Sequence, residues 1–252
     1  MALHLAGFYE DIDPGGALVN IAGIADQALT VTGDDVRVPS ELPFLVGAAG
    51  LIGDASGARC QVSSPSLRRL ANIDVAPFPL ADVYGDPPEA DIHPRNAIQL
   101  RGDEALNFLV NSNPAAAELH HGFVWLADGP VPEVSGEVFT VRATAAVTAV
   151  VGTWVNGGLT FDQDLPVGNY QVVGMRCEMA GAVAARLVFV GGAWRPGCLA
   201  VVSEDDNDLP VFRQGRMGVW GQFHTNTPPT VDFCAASAAV TPAVYLDIIP
   251  VG

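Results

Sequence analysis

The chain has 252 residues, of which 49% are hydrophobic, 8% aromatic and only 16% charged, and its net charge is −16. All 12 basic residues are arginines, the first is Arg37 and no basic run occurs, so nothing could neutralise a row of phosphates and direct nucleic-acid binding is not expected. So low a charged fraction, against about 25% in an ordinary globular domain, fits a surface hidden in an assembly and equally a compact monomer with an Ala/Gly-rich core.

The opening "MALHLAGFYEDIDPGG" has no basic segment and its apolar run ends at Phe8-Tyr9-Glu10, so it is not expected to act as a signal peptide. No uninterrupted apolar stretch is long enough for a membrane-spanning helix. Short runs rich in Val, Ile, Phe, Trp and Tyr then recur between Gly, Pro, Asn and Asp. In the first half they predict strands over 17–23, 27–38, 44–51, 57–62, 72–77, 96–101, 105–111 and 118–126. In the second half they predict strands over 138–144, 146–155, 158–162, 169–178, 184–190, 198–202, 217–223, 230–236 and 243–250. The best helix candidate is "SSPSLRRLAN", where Ser64 could cap and Pro65 open the first turn. Cys60, Cys177, Cys198 and Cys234 show no CxxC spacing and are expected to be buried free thiols.

The two halves echo each other. "ELPFLVGAAGL" begins at residue 41 and "DLPVGNYQVVGM" at residue 164, about half a chain length apart. Upstream, "ALTVTGDDVRV" (28–38) corresponds to "TAVVGTWVNGGLTF" (148–161). Downstream, Ala58-Arg59 and Ala185-Arg186 each re-enter a strand after an Ala/Gly loop. Near the ends, "LNFLVNSNPAAAELHHGFVWLADGPVP" parallels "VDFCAASAAVTPAVYLDIIPVG", with Phe108 matching Phe233. Four matches in one order at a nearly constant offset argue for duplication, with a junction in "GPVPEVSGE" (129–137). The expected fold is therefore all-β: two tandem eight-stranded jelly-roll barrels related by internal duplication, residues 1–130 and 131–252. The unequal gaps, long at 78–95 and 203–216, suit a jelly roll better than an immunoglobulin-like sandwich.

Candidate chemistry is sparse. A cupin needs an HxH with further Glu and His ligands, but the five histidines (His4, His93, His120, His121, His224) contain no HxH. His120 and His121 are adjacent on a strand and so face opposite sides. Arg101-Gly102-Asp103, the tripeptide of integrin ligands, reads as a polar turn between two strands. "SEDDNDLP" (203–210) is oxygen-rich as calcium requires, but lacks the glycine and following helix of a calcium loop, and reads as a solvated acidic loop. No nucleophile elbow or phosphate-binding loop is present. Trp125, Trp154, Trp194 and Trp220 fall in or beside separate strands and are expected in the core. No catalytic, cofactor-binding or metal-binding residue is assigned, and no cofactor is expected.

Two jelly rolls in one acidic, charge-poor chain without a catalytic set resemble the double jelly-roll major capsid proteins of tailless icosahedral viruses. The resemblance rests on architecture and duplication, with no diagnostic motif. It implies a structural protein and not an enzyme: a coat subunit of a virus or phage, forming pseudo-hexagonal homotrimers. In that family both barrels stand perpendicular to the capsid surface, and a helix follows one strand of each barrel; 64–71 is the candidate in the first half, and "GGAWRPG" is a poor one in the second. The implied partners are other copies of the chain within and between capsomers, other virion proteins and an underlying membrane. The implied location is the virion, after synthesis in host cytoplasm. The alternatives are a bicupin-like enzyme or carbohydrate-binding β-sandwich module, and a virion spike or fibre-base protein. The Ala-rich stretches 142–151 and 180–190 are candidates for the walls of the trimer interface.

Overall fold

The computed structural model describes residues 1–52, 58–79, 90–111, 117–148, 150–179, 181–201, 210–237 and 241–251. The acidic stretch 203–208 and the Ala/Pro linker 112–116 lie outside these residues. The protein is all-β, with 53% strand and 4% helix. It divides into two compact units, Leu5–Pro130 and Val131–Gly252, the second also holding Met1–His4.

The strands of the first unit, in chain order, are β1 (Leu3–Ile12), β2 (Val19–Ile21), β3 (Val31–Thr32), β4 (Asp35–Arg37), β5 (Phe44–Ile52), β6 (Arg59–Ser63), β7 (Ile73–Val75), β8 (Pro77–Pro79), β9 (Asp91–Ile92), β10 (Ile98–Gln99), β11 (Ala105–Asn111) and β12 (Glu118–Ala127). They form two sheets. One runs β1-β12-β5-β10, with β8 and β9 also paired to β5; the other runs β3-β4-β11-β6-β7, with β2 paired to β11. In β11 the residues alternate between half-buried and buried, so Leu106, Phe108 and Val110 all project into the core. The Phe108 ring lies 5.8 Å from Phe8 of the other sheet. It needs the glycines opposite it: a Cβ on Gly122 would come within 2.4 Å of the ring, and one on Gly50 within 2.5 Å of Cys60 Sγ. β1 was not expected. Its first six residues are all buried, so it lacks the polar alternation that marks a strand with one solvated face.

The second unit contains β13 (Phe139–Ala145), β14 (Val155–Phe161), β15 (Asn169–Glu178), β16 (Ala182–Val188), β17 (Gly197–Val201), β18 (Gly221–His224), β19 (Thr230–Ala235) and β20 (Ala243–Val251). Seven of them close a barrel, β14-β13-β20-β15-β17-β16-β19 and back to β14. The closing contact is the parallel pairing of Cys177–Glu178 with Ala200–Val201. β18 pairs with the earlier part of the same edge of β15. A bulge in β15 between Val172 and Gly174 leaves room for a side chain of β20, as described below.

Two local expectations are corrected. The stretch 64–71 forms one 3-10 turn, Leu67–Arg69, and not a helix, because the Ser64 hydroxyl bonds to Glu104 and leaves the turn uncapped. Leu70 is 92% exposed, so a longer helix would have had no apolar face to bury. In the stretch 146–155, Val155 opens β14 and the described residues before it form a connection bearing an isolated bridge, Val151–Ala235, and turning at Gly152 with φ +62°. In the Ala-rich stretch 180–190, residues 182–187 of β16 are buried inside the single chain, whereas Val190 is 78% exposed.

Candidate functional site

The histidines are dispersed. His4 is buried, its Nδ1 accepts the Arg195 N–H at 3.1 Å, and its ring meets Trp194 edge-on. His93 is exposed beside Asp91. His120 and His121 are consecutive on β12 and both fully buried. The residue after them, Gly122, faces Phe108, so His120 shares the Phe108 side and His121 the opposite one, 4.8 Å from Tyr9. His120 Nδ1 lies 2.8 Å from the Glu118 carbonyl, which can only accept, so this nitrogen carries the proton. Burial holds the His120 pKa below its ordinary value, which keeps the ring neutral. Among the described residues no group of three or more His, Cys, Asp or Glu is placed to hold a metal ion. All four cysteines are buried free thiols. Burial pushes Cys60, Cys198 and Cys234 up to about 12 and Cys177 well above its ordinary value, so none is a nucleophile in the folded chain.

The charged chemistry lies in two places on the second unit that the sequence reading had not assigned. Across its sheet, Asn156, Asp232 and Arg186 stand in one cross-strand row on β14, β19 and β16. Asp232 accepts from Arg186 Nε at 3.0 Å and Asn156 Nδ2 at 2.8 Å, and Arg195 Nε stands 3.6 Å away. The Arg186 guanidinium also covers the Trp154 ring, 4.1 Å from its centre. Trp154, under Arg186, and Trp194, against His4, are half-exposed, whereas Trp125 and Trp220 are core.

The second place is Asp247 on β20, whose fully buried carboxylate is held in a fork by Arg213, Nε at 2.7 Å and Nη2 at 2.9 Å. Thr140 Oγ1 donates at 2.7 Å and the Gln214 N–H at 2.8 Å. The bulge at Gly174 makes the site possible, since a Cβ there would lie 2.8 Å from the carboxylate. Burial alone would push the Asp247 carboxyl up, but the Arg213 fork, Thr140 and the Gln214 N–H together hold it below the ordinary carboxylate range. One signal was legible: a lone Asp in the apolar run "YLDIIP" must have a partner if it is buried.

On the first unit, the Arg101-Gly102-Asp103 tripeptide forms an exposed turn between β10 and β11, with Asp103 at φ +69°. The Asp103 N–H donates to Val38 O, and its carbonyl accepts from Arg37. Beside it opens a recess of about 370 Å³ lined by Pro65, Ser66, Arg69, Gln99, Leu100, Arg101 and Glu104. Glu104 is bonded to Ser64, to Ser66 Oγ at 2.8 Å and to the Arg101 N–H at 3.2 Å.

No family model, curated protein or solved structure matches the chain. The charged clusters of the second unit are thus read on their geometry alone. Asp232 and Asp247 are spent on arginine and backbone or amide donors, an arrangement that fixes neighbouring strands to one another.

Proposed function

We propose that the chain is a coat subunit of an icosahedral virus or phage, made of two jelly rolls in tandem and working as a homotrimer. The observation that carries this reading is the common pairing scheme of the two units. In the first, β1 lies beside β12, β2 and β4 beside β11, β5 beside β9 and β10, and β6 beside β7. In the second, the pairs are β13–β20, β14–β19, β15–β18 and β16–β17. Each unit pairs first with last, second with second-last and so on inward, as a long hairpin folded over does. The first unit has the sheet orders β1-β12-β5-β10 and β4-β11-β6-β7; the second has the corresponding runs β13-β20-β15-β18 and β14-β19-β16-β17 within one sheet joined by the β13–β14 pairing. Nested pairing of this kind is what a jelly roll requires, and it supports that reading of each unit.

The sequence echo follows the same equivalences. "ELPFLVGAAGL" runs into β5 and "DLPVGNYQVVGM" into β15, the third strand of each scheme. Phe108 pairs with Ile21 and Val62, and Phe233 with Val155 and Ala185, so both occupy one place in the scheme. Duplication supports the coat reading because it lets a three-fold trimer present six similar units to its neighbours. A jelly roll also serves lectins and cupins, so the fold does not select among them. What favours a coat is the low charged fraction of the chain, 16%, together with the apolar groups it leaves exposed. Phe139, Val167 and Val190, respectively 51%, 82% and 78% exposed, are apolar groups that contacts between subunits would cover. The partners on this reading are other copies of the chain, other virion proteins and an underlying membrane.

Light scattering after gel filtration tests the proposal. The expected species is a trimer of about 79 kDa, three times the 26.3 kDa chain. Larger assemblies are expected to grow with added salt, which screens the repulsion of a −16 charge per chain. A monomer at every salt and protein concentration would sink the coat assignment.

A further inference from the structure

We propose that the recess between the 3-10 turn Leu67–Arg69 and the turn at 100–104 binds an oxyanion, a carboxylate or phosphate group, through Arg69 and Arg101. The inference does not depend on the coat reading. It starts from how this chain uses its arginines. Arg59 is paired with Asp74, Arg142 with Asp162, Arg176 with Glu178 and Arg213 with Asp247. Arg69 and Arg101 are different: both are exposed, both line the recess, and among the described residues neither side chain has a carboxylate partner. In a chain with 28 acidic residues and 12 arginines, two guanidiniums that line one recess and have no carboxylate partner among the described residues call for a ligand.

The wall of the recess is built so that its own acid does not compete. Glu104 is the one acid lining it, and its oxygens already accept from Ser64, Ser66 and the Arg101 N–H. Those bonds tie the carboxylate to the chain and leave the two guanidiniums facing about 370 Å³ of open recess. A planar guanidinium presents paired donors that match the oxygens of a carboxylate or phosphate. Such a group could be a free small anion or a carboxylate carried by a second copy of this acidic chain. The chemistry is the same, and the source is an experimental question.

The test uses the full chain, the R69A/R101A double variant and the R69K/R101K double variant. Calorimetric titration with inorganic phosphate and with citrate is run at low and at 0.15 M salt, with sedimentation velocity in the same buffers. Both positions are exposed, so circular dichroism is expected to be unchanged in the variants. Saturable binding that weakens about tenfold or more in the alanine variant, and less in the lysine variant, supports a site for free anions. No small-anion binding, but self-association weakened by about tenfold or more in the alanine variant, supports a carboxylate of a second copy as the occupant. Binding unaffected by the alanine variant overturns the proposal, as does the absence of both effects.

Discussion

Asp247 offers the sharpest test of how the second unit is held together. Its carboxylate is fully buried, and four donors converge on it: two nitrogens of Arg213, Thr140 Oγ1 and the Gln214 N–H, all at 2.7–2.9 Å. These donors come from β13 and from the 210–214 segment, so the group ties β20 to two other parts of the chain. In D247A the Arg213 guanidinium, whose side chain is only 14% exposed, loses the Asp247 carboxylate, and the Gln214 N–H loses its acceptor. Breaking a buried pair by removing one partner costs about 3–5 kcal/mol. For a unit of this size that is a fall of roughly 10–20 °C in its melting temperature. T140V, which removes a single donor, should cost about 1 kcal/mol. Urea unfolding followed by tryptophan fluorescence suits the question, because Trp154, Trp194 and Trp220 all lie in the second unit. The pH dependence gives an independent check. The folded pKa of Asp247 lies below the ordinary value, so its stabilisation is complete above about pH 5. It is lost as pH falls through the ordinary value of about 3.9 towards the lower folded one. D247A should remove that part of the acid sensitivity. A cost under about 1 kcal/mol, or an unchanged acid profile, would refute the reasoning.

Two further outcomes are expected. G122A should destabilise the first unit by about 1–3 kcal/mol, since the new methyl meets the Phe108 ring at 2.4 Å, and F108L should recover part of the loss; unfolding curves of the single and double variants check this. In a thiol-reagent assay at pH 8 none of the four cysteines should react while the protein is folded and all four should react in denaturant, because burial lifts Cys60, Cys198 and Cys234 to about 12 and Cys177 well above its ordinary value.

The strands legible in the sequence were those with one solvated face or a sharp turn at each end. β11 has the predicted bounds, 105–111, because its buried and half-buried residues alternate, and β15 has its predicted bounds, 169–178, because Gly168-Asn169 opens it. β1 escaped because burial of consecutive residues erases the alternation, and β9 because two residues carry no pattern. The run 146–155 is rich in β-branched residues, yet Gly152 at positive φ turns the chain and Val150 points to solvent at 52% exposure. In the charged clusters, Asp247 was legible as an isolated charge in an apolar run, but its partner was not. Arg213 lies 34 residues earlier in a segment with no strand pattern, and Arg186 lies 46 residues from Asp232. Such pairs follow from cross-strand register, which local composition does not encode.

The closing of each sandwich bears most directly on the duplication. In the second unit, β17 begins on β16, with Gly197, Cys198 and Leu199 opposite Arg186, Ala185 and Ala184. It ends on β15 in parallel, with Ala200 and Val201 opposite Cys177 and Glu178. One short strand thus joins the β16 end of the sheet to β15 and closes the barrel. In the first unit, β7 pairs antiparallel with β6 at Cys60–Val62, and β8, one residue later, pairs in parallel with β5 at Gly50–Ile52. The equivalent strand makes the same crossing there, but broken at Ala76, where Pro77 removes a backbone donor. Nested pairing alone could arise twice, because any long hairpin that folds over itself gives it. A parallel crossing by the fifth strand onto the third, at the same step in both units, is not required by that folding. That shared crossing supports the proposed duplication, with a break at Ala76 in the first unit.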